Sequence, residues 1–498
     1  MAFSLLDGLV LAALALLSLI VATVIQRLYI HPLAKIPGPK LAAVTGWCET
    51  YYDCVLSGQY TFKIEEMHRR YGPIVRINPR EVHISDSSFY NTFYSMQNRL
   101  DKDQWFYDFN GDTLSGFATP DSERHRVRRK AIARYFSPAT LVQVEKLVRR
   151  NVDSLSGRLA SMHAAGKSVI NLSDVFRSFS TDTVTQHCLV EGSNFLETDD
   201  FGHEYNTWVR TFSYMTTLNR HFTFLMPTFK KLPAWIVEKT STPGSIQSHK
   251  FHSMIIGEVS RAMERRPKGT DTILEGLINA DLPLEDRSLE RIVDEMHTIV
   301  GAGSETTAST LDKIFFHVLN RPESLKALRD ELSALPEGDR QDYGVLKRLP
   351  YLQGIVNEGL RITSGVCARL PRINRKAETV YGNYKLPPGT VISMGVRDVH
   401  HDPSIFPDPF RFEPARWINP SMPMGQYLVP FGKGARSCIG QDIALMEITM
   451  LTAGLLGRFD MKLYKTTMKE MQVKHEFFSP FPDKSFRGVQ IEIINALK

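Results

Sequence analysis

A chain of 498 residues with 43% hydrophobic, 23% charged and 10% aromatic side chains is not disordered, collagen-like or a disulfide-built miniprotein. That length buries a large core without staples, whether as several domains or as one large α-rich enzyme. A net charge of only +6, from 60 basic and 54 acidic residues, speaks against a dedicated nucleic-acid binder.

Residues 9–25 carry no charge, and only Ser18 and Thr23 among them are polar. As a helix this run spans roughly 25 Å, close to the thin hydrocarbon core of the endoplasmic reticulum. A cleaved signal peptide and a buried core helix are the competing readings. No basic residue precedes the run and Asp7 is acidic, which disfavours the signal peptide. Arg27, Lys35 and Lys40 follow it and place the downstream chain in the cytosol. The expectation is a retained single-pass anchor over residues 1–30, with the sequon at Asn171 left unmodified on the cytosolic side. His31-Pro32 and Ile36-Pro37-Gly38-Pro39 cannot continue a helix, so residues 31–40 read as a proline-rich hinge. One domain then occupies 41–498, mainly α, with small β patches at 74–84 and 380–396.

The run 123–130 is strongly basic, and 221–235 mixes Phe and Trp with Lys230 and Lys231. Residues 289–319 read as one helix on which Met296, Ile299, Gly303, Thr306 and Thr310 share a stripe. Gly301 and Gly303 each cost about 1 kcal/mol in mid-helix, which predicts a locally opened backbone there. Glu358 and Arg361 sit one helical turn apart in an apolar segment and share a face. The five cysteines form no CxxC pair, and their odd count points to a reducing compartment with one thiol reserved for chemistry. That thiol is Cys438, in the glycine-rich loop 431–440 (FGKGARSCIG) ahead of a helix-like run. Glycines let the backbone approach a planar group closely, while amides and a helix N-terminus stabilise a thiolate. Arg436 offers a fork for a carboxylate and Phe431 an apolar face.

The pattern F-x-x-G-x-R-x-C-x-G resembles the haem-ligand signature of the cytochrome P-450 haem–thiolate monooxygenases. Further motifs occur in that family's order along essentially the whole chain. The resemblance implies the cytochrome P-450 fold, mainly α with small β-sheets, as one haem domain behind the membrane helix. Cys438 then holds the iron of haem b, with Phe431, Gly434, Arg436 and Gly440 around it. Glu358 and Arg361 match the ExxR motif, and Arg416 in FEPARW completes a structural Glu–Arg–Arg triad. Ala302–Thr307 (AGSETT) matches the oxygen-side motif, which makes Thr306 the proton relay toward O2 and Glu305 the acid or water-orienting group behind it. His125 and Arg129 match W-x-x-x-R with His in place of Trp and are candidates for the haem propionates. Arg372 is a third, with Arg369 the runner-up.

The same resemblance implies an endoplasmic reticulum membrane protein receiving NADPH electrons through NADPH-cytochrome P-450 reductase. Arg126, Arg128, Lys130 and Lys433 are expected to form a solvated basic face toward that acidic donor. Segment 221–235 resembles an interfacial helix. The RLPR stretch 369–372 is similar to fungal secondary-metabolism members such as trichodiene oxygenase, which implies a lipophilic terpenoid or polyketide substrate. Two alternatives keep the haem: a haem–thiolate isomerase or dehydratase working without reductase, and a non-catalytic haem sensor.

Overall fold

The computed structural model describes residues 5–240, 243–265, 272–420 and 422–497, and there helices dominate over four small sheets. The first helix, Leu5–Ile25, continues as a π-turn over Gln26–Ile30. It reaches a mean hydropathy of 2.8, and none of its residues is buried. So long an apolar helix with nothing packed on it has the length and composition to cross a bilayer.

The proline-rich stretch behind it is tied down. Leu33 and Ile36 are buried against the first sheet, and Arg76 donates from its amide to the Pro37 carbonyl and from Nη1 to that of Arg27, at 2.8 and 2.7 Å. Proline rigidity therefore fixes the angle at which the chain enters the domain.

The strands of the largest sheet run in the order Ile74–Asn78, Glu81–Ile84, Val391–Ser393, Arg372–Ile373 and Asp101–Lys102. Only the pairing of Glu81–Ile84 with Val391–Ser393 is parallel. The last pairing sets Lys102 directly opposite Arg372.

The largest core cluster surrounds the central helix, Leu289–Leu319. Its Leu311, Ile314, Phe315 and Phe316 are fully buried against the helices Leu172–Cys188, Pro350–Thr363 and Gln441–Arg458. Contrary to the expected opening, the helix is α throughout. Gly303 serves close packing: a Cβ there would lie 2.9 Å from Val184 Cγ2 on the neighbouring helix. Ser304 and Thr306 hydroxyls turn back to the Val300 and Ala302 carbonyls at 2.8 Å, and the ladder stays intact.

Candidate active site

The Cys438 loop contains a 3₁₀ turn, Gly434–Arg436, that finishes two residues before the cysteine. Gly434 has φ +71°, and a side chain there would collide with the Tyr94 carbonyl, so only glycine fits. The Cys438 amide donates to the Phe431 carbonyl at 2.8 Å, which closes the loop. Burial pushes the Cys438 thiol up, while the Gly440 amide and the Arg129 guanidinium pull it back toward the thiolate. The accessible face of the sulfur opens into a cavity of about 510 Å³. Across that cavity the central helix presents Gly301, Ala302, Thr306 and Thr310.

Between these walls stand four cations and an imidazole. Arg129 donates to the Ser437 carbonyl at 2.7 Å, and Arg436 to the Thr119 and Pro120 carbonyls at 2.8 and 2.7 Å. Arg372 donates to the Tyr107 hydroxyl, and Lys102 to the Phe117 carbonyl at 2.5 Å. Among the described residues, none of the four has a carboxylate within ion-pair distance, and Lys102 faces Arg372 across the sheet. Like charges directly opposed are destabilising. Burial, then the neighbouring Arg372, holds the Lys102 amine well below its usual range and brings Arg436 down to about 10. Burial, then Arg436 and the other cations, pushes His125 down to about 2, so its imidazole is neutral.

Of the residues singled out from the sequence, Cys438, Phe431, Arg436, Gly440, His125, Arg129, Arg372, Glu305 and Thr306 all line this cavity. Gly434 supports the loop from behind. Arg369, three residues from Arg372, points elsewhere and is held by Glu49 and Glu81. Lys102 was not singled out. Its neighbours Asp101 and Asp103 make it look like a solvated charge, and only the sheet register brings it in.

Glu305 is gripped by Arg177, with Nε–Oε2 and Nη2–Oε1 both 2.8 Å; Asp312 lies 3.6 Å from the same guanidinium. Thr306 Oγ1 stays on its own helix at the Ala302 carbonyl. Glu358 Oε1 accepts from Arg361 at 2.7 Å and Arg416 at 3.0 Å, and Oε2 accepts from Arg361 and from Trp417 Nε1, both at 2.9 Å. Arg361 also donates to the His400 and Pro409 carbonyls, so the triad ties three chain segments beneath the Cys438 loop.

The basic face is smaller than expected. Arg126 and Lys130 are exposed, but Arg128 is buried against Asp286 at 2.5 Å and bonds the Leu114 carbonyl and Thr119, because its helix turns that position inward. In segment 221–235, Phe224 and Trp235 are exposed, whereas Lys230 turns inward to Asp112.

A sulfur donor in a closed loop, facing a slot lined with cations that lack anionic partners, suits a dianionic metalloporphyrin: a haem–thiolate site. The cytochrome P450 family model matches residues 38–485, and the chain belongs to that family. Among curated relatives, cytochrome P450 monooxygenase orf4 of Eupenicillium brefeldianum is 35% identical, covering 95% of this chain and 96% of its own. Conidiogenone synthase PchP450 of Penicillium rubens is 34% identical over 96% of this chain and 97% of its own. N-acetyltryptophan 6-hydroxylase ivoC of Emericella nidulans is 32% identical over 94% of this chain and 93% of its own. The retinoic acid bound cyanobacterial CYP120A1 shares the fold, with a TM-score of 0.67 over 89% of this chain and 97% of its own at 19% identity. The protein is a cytochrome P450 monooxygenase with a cysteine-ligated haem and electrons from a redox partner.

Proposed function

We propose that this enzyme is a fungal secondary-metabolism monooxygenase, anchored in the endoplasmic reticulum with its domain on the cytosolic side. It takes electrons from NADPH-cytochrome P-450 reductase and oxidises a lipophilic small molecule, a terpenoid or polyketide intermediate. The observation that carries this reading is the pairing of Cys438 and Thr306 across one cavity whose flank is lined with uncompensated cations. The bound haem supplies oxygen activation.

Cys438 supplies the thiolate. Lys102, Arg129, Arg372 and Arg436 hold the two propionates, and neutral His125 adds a hydrogen bond. Thr306 Oγ1 donates to the Ala302 carbonyl; a swing about χ1 exchanges that partner for a group in the cavity, so the hydroxyl can pass a proton there. Glu305 acts as a positioning carboxylate in the arrangement described, since delivering a proton from it requires loosening a bond to Arg177.

Phe109, Phe117, Phe212, Ile299, Val366 and Phe478 give the cavity an apolar wall suited to a carbon skeleton. The exposed Arg126 and Lys130 suit an acidic electron donor. The reading is tested with microsomes carrying the full chain, incubated with candidate terpenes and polyketides with and without reductase. Oxygenated product that depends on reductase and NADPH is expected. Turnover of equal rate without reductase would favour the isomerase or dehydratase alternative.

A further inference from the structure

Beyond the Cys438 loop the same cavity ends under a roof built from four segments: the turn 110–116 and the helices Leu225–Lys230, Pro243–Arg265 and Leu289–Leu319. There each cation has a carboxylate partner. Lys230 Nζ lies 2.6 Å from Asp112 Oδ1 and 3.8 Å from Asp294 Oδ1, and donates to the Gly111 carbonyl at 3.0 Å. Glu295 is paired with Arg291 at 2.5 Å. Beside them His297 Nδ1 stands 3.5 Å from Asp112 Oδ1, and its Nε2 lies 3.1 Å from His252 Nδ1. Thr298 lines the cavity, and its Oγ1 is buried with no hydrogen-bond partner among the described residues, a χ1 rotation away from a group bound there. Neither the haem cradle nor Thr306 uses any of these groups.

We propose that this roof is a hydrogen-bonding subsite for a neutral oxygen function, a hydroxyl or carbonyl, that the substrate already bears roughly 12 Å from the carbon to be oxidised. The length comes from the helix itself, because Thr298 precedes Thr306 by eight residues at about 1.5 Å each. This subsite rests on the monooxygenase reading of the cavity.

The chemistry of the roof selects among head groups. One ammonium already serves two carboxylates, so a substrate carboxylate would meet surplus negative charge. A substrate amine would have to share Asp112 and Asp294 with Lys230, setting two ammonium groups side by side. His252 is neutral, held down to about 4 by burial and then by His297 and Lys230. A bare hydrocarbon would leave the Thr298 hydroxyl unpaired against apolar carbon. A hydroxyl or carbonyl meets neither charge repulsion nor that loss. Such a substrate must come from a reaction that installs oxygen on the skeleton, so this enzyme acts after a first oxygenation or an oxygen-retaining cyclisation.

The test uses the haem-loaded full chain and follows the ferric Soret band during titration with two matched series: androstane, androstan-3β-ol and androstane-3β-carboxylate, then dodecane, 1-dodecanol and dodecanoate. The alcohol of at least one series should bind about tenfold or more tighter than its hydrocarbon. Thr298→Val and His297→Leu should erase that preference while leaving hydrocarbon affinity within about twofold. Both variants should keep the wild-type ferrous–CO spectrum, which shows that they fold and hold haem. Parity of alcohol and hydrocarbon in both series, the lack of any shift included, overturns the proposal. A carboxylate that binds tightest overturns its neutrality, and variants that weaken every probe alike overturn its location. A wild-type protein without the red-shifted ferrous–CO band would sink the monooxygenase reading itself, whereas parity with that band intact sinks only the subsite.

Discussion

At the Cys438 end of the cavity, Lys102, Arg129, Arg372 and Arg436 bond, among the described residues, only to carbonyls and a tyrosine hydroxyl; at the remote end, Lys230 is shared between Asp112 and Asp294. Both ends are buried, and both draw cations from segments far apart in sequence. The difference lies in who supplies the counter-charge. The remote end carries its own, in the carboxylates of Asp112 and Asp294. The Cys438 end gathers positive charge that the polypeptide does not neutralise, so a dianionic cofactor relieves repulsion as well as adding contacts. Haem affinity and folding stability are therefore linked at that end, and substitutions at the two ends should behave differently.

The largest effect comes from removing the sulfur. Cys438→Ala should abolish the red-shifted Soret band of the ferrous–CO complex and all reductase-dependent turnover, because the other cysteine along the cavity, Cys188, is fully buried with its thiol pushed up by that burial. Persistence of both would mean that the iron is held elsewhere.

Next in size is the triad beneath the loop. Glu358 and Arg361 are fully buried, and Glu358→Gln strips an anion from two guanidinium partners. Breaking such a buried pair costs about 3–5 kcal/mol. Denaturant titration should show that loss in haem-loaded and haem-free protein alike, since the triad touches no propionate candidate. A loss confined to the loaded form would place the triad in haem binding.

The comparison is sharpest in the cradle. Arg372→Met and Lys102→Met should each speed haem loss about tenfold, measured by transfer to an apoprotein scavenger. The same substitutions should raise the melting temperature of the haem-free chain, because each removes half of a like-charge pair. Lys230→Met at the remote end should lower it, because Asp112 is left buried with His297 at 3.5 Å as its nearest cation candidate. A fall in haem-free stability for all three would erase the distinction between the two ends.

What the sequence made legible follows the same division. Cys438, Phe431 and Arg436 lie within one loop, and Glu358 with Arg361 within one helical turn, so local spacing already expresses their geometry. Thr306 was legible for the same reason, on a helix whose stripe the sequence displays. Lys102 was not: its place beside Arg372 in the cavity comes through cross-strand register, in a run of acidic neighbours. Arg369 and Arg372 are equivalent in sequence, and only the tertiary positions of Glu49 and Glu81 separate them. Gly303 was misread because a mid-helix glycine can mean an opened ladder or a close neighbour, and Val184 decides between them. The roof is assembled from four segments, so its pairings come from tertiary placement and not from local spacing.

The smallest predicted effect concerns Glu305, and its direction turns on what Arg177 does. Thr306→Ala should still bind haem and substrate, yet lower product per NADPH about tenfold, with the lost electrons appearing as hydrogen peroxide. Glu305→Gln should lower that ratio only a few-fold, without much change in substrate affinity. Two explanations of a few-fold loss remain distinguishable. If Glu305 itself passes protons, freeing its carboxylate with Arg177→Gln should preserve or improve coupling. If Glu305 instead fixes the helix turn that carries Thr306, both of its bonds to Arg177 matter, and Arg177→Gln should lower coupling as Glu305→Gln does. The structure favours the second outcome. The bidentate pair is buried at 2.8 Å on both arms, and although burial pulls the Arg177 guanidinium down, Glu305 and Asp312 hold it above its usual range. Equal coupling in Arg177→Gln and wild type would return Glu305 to the relay.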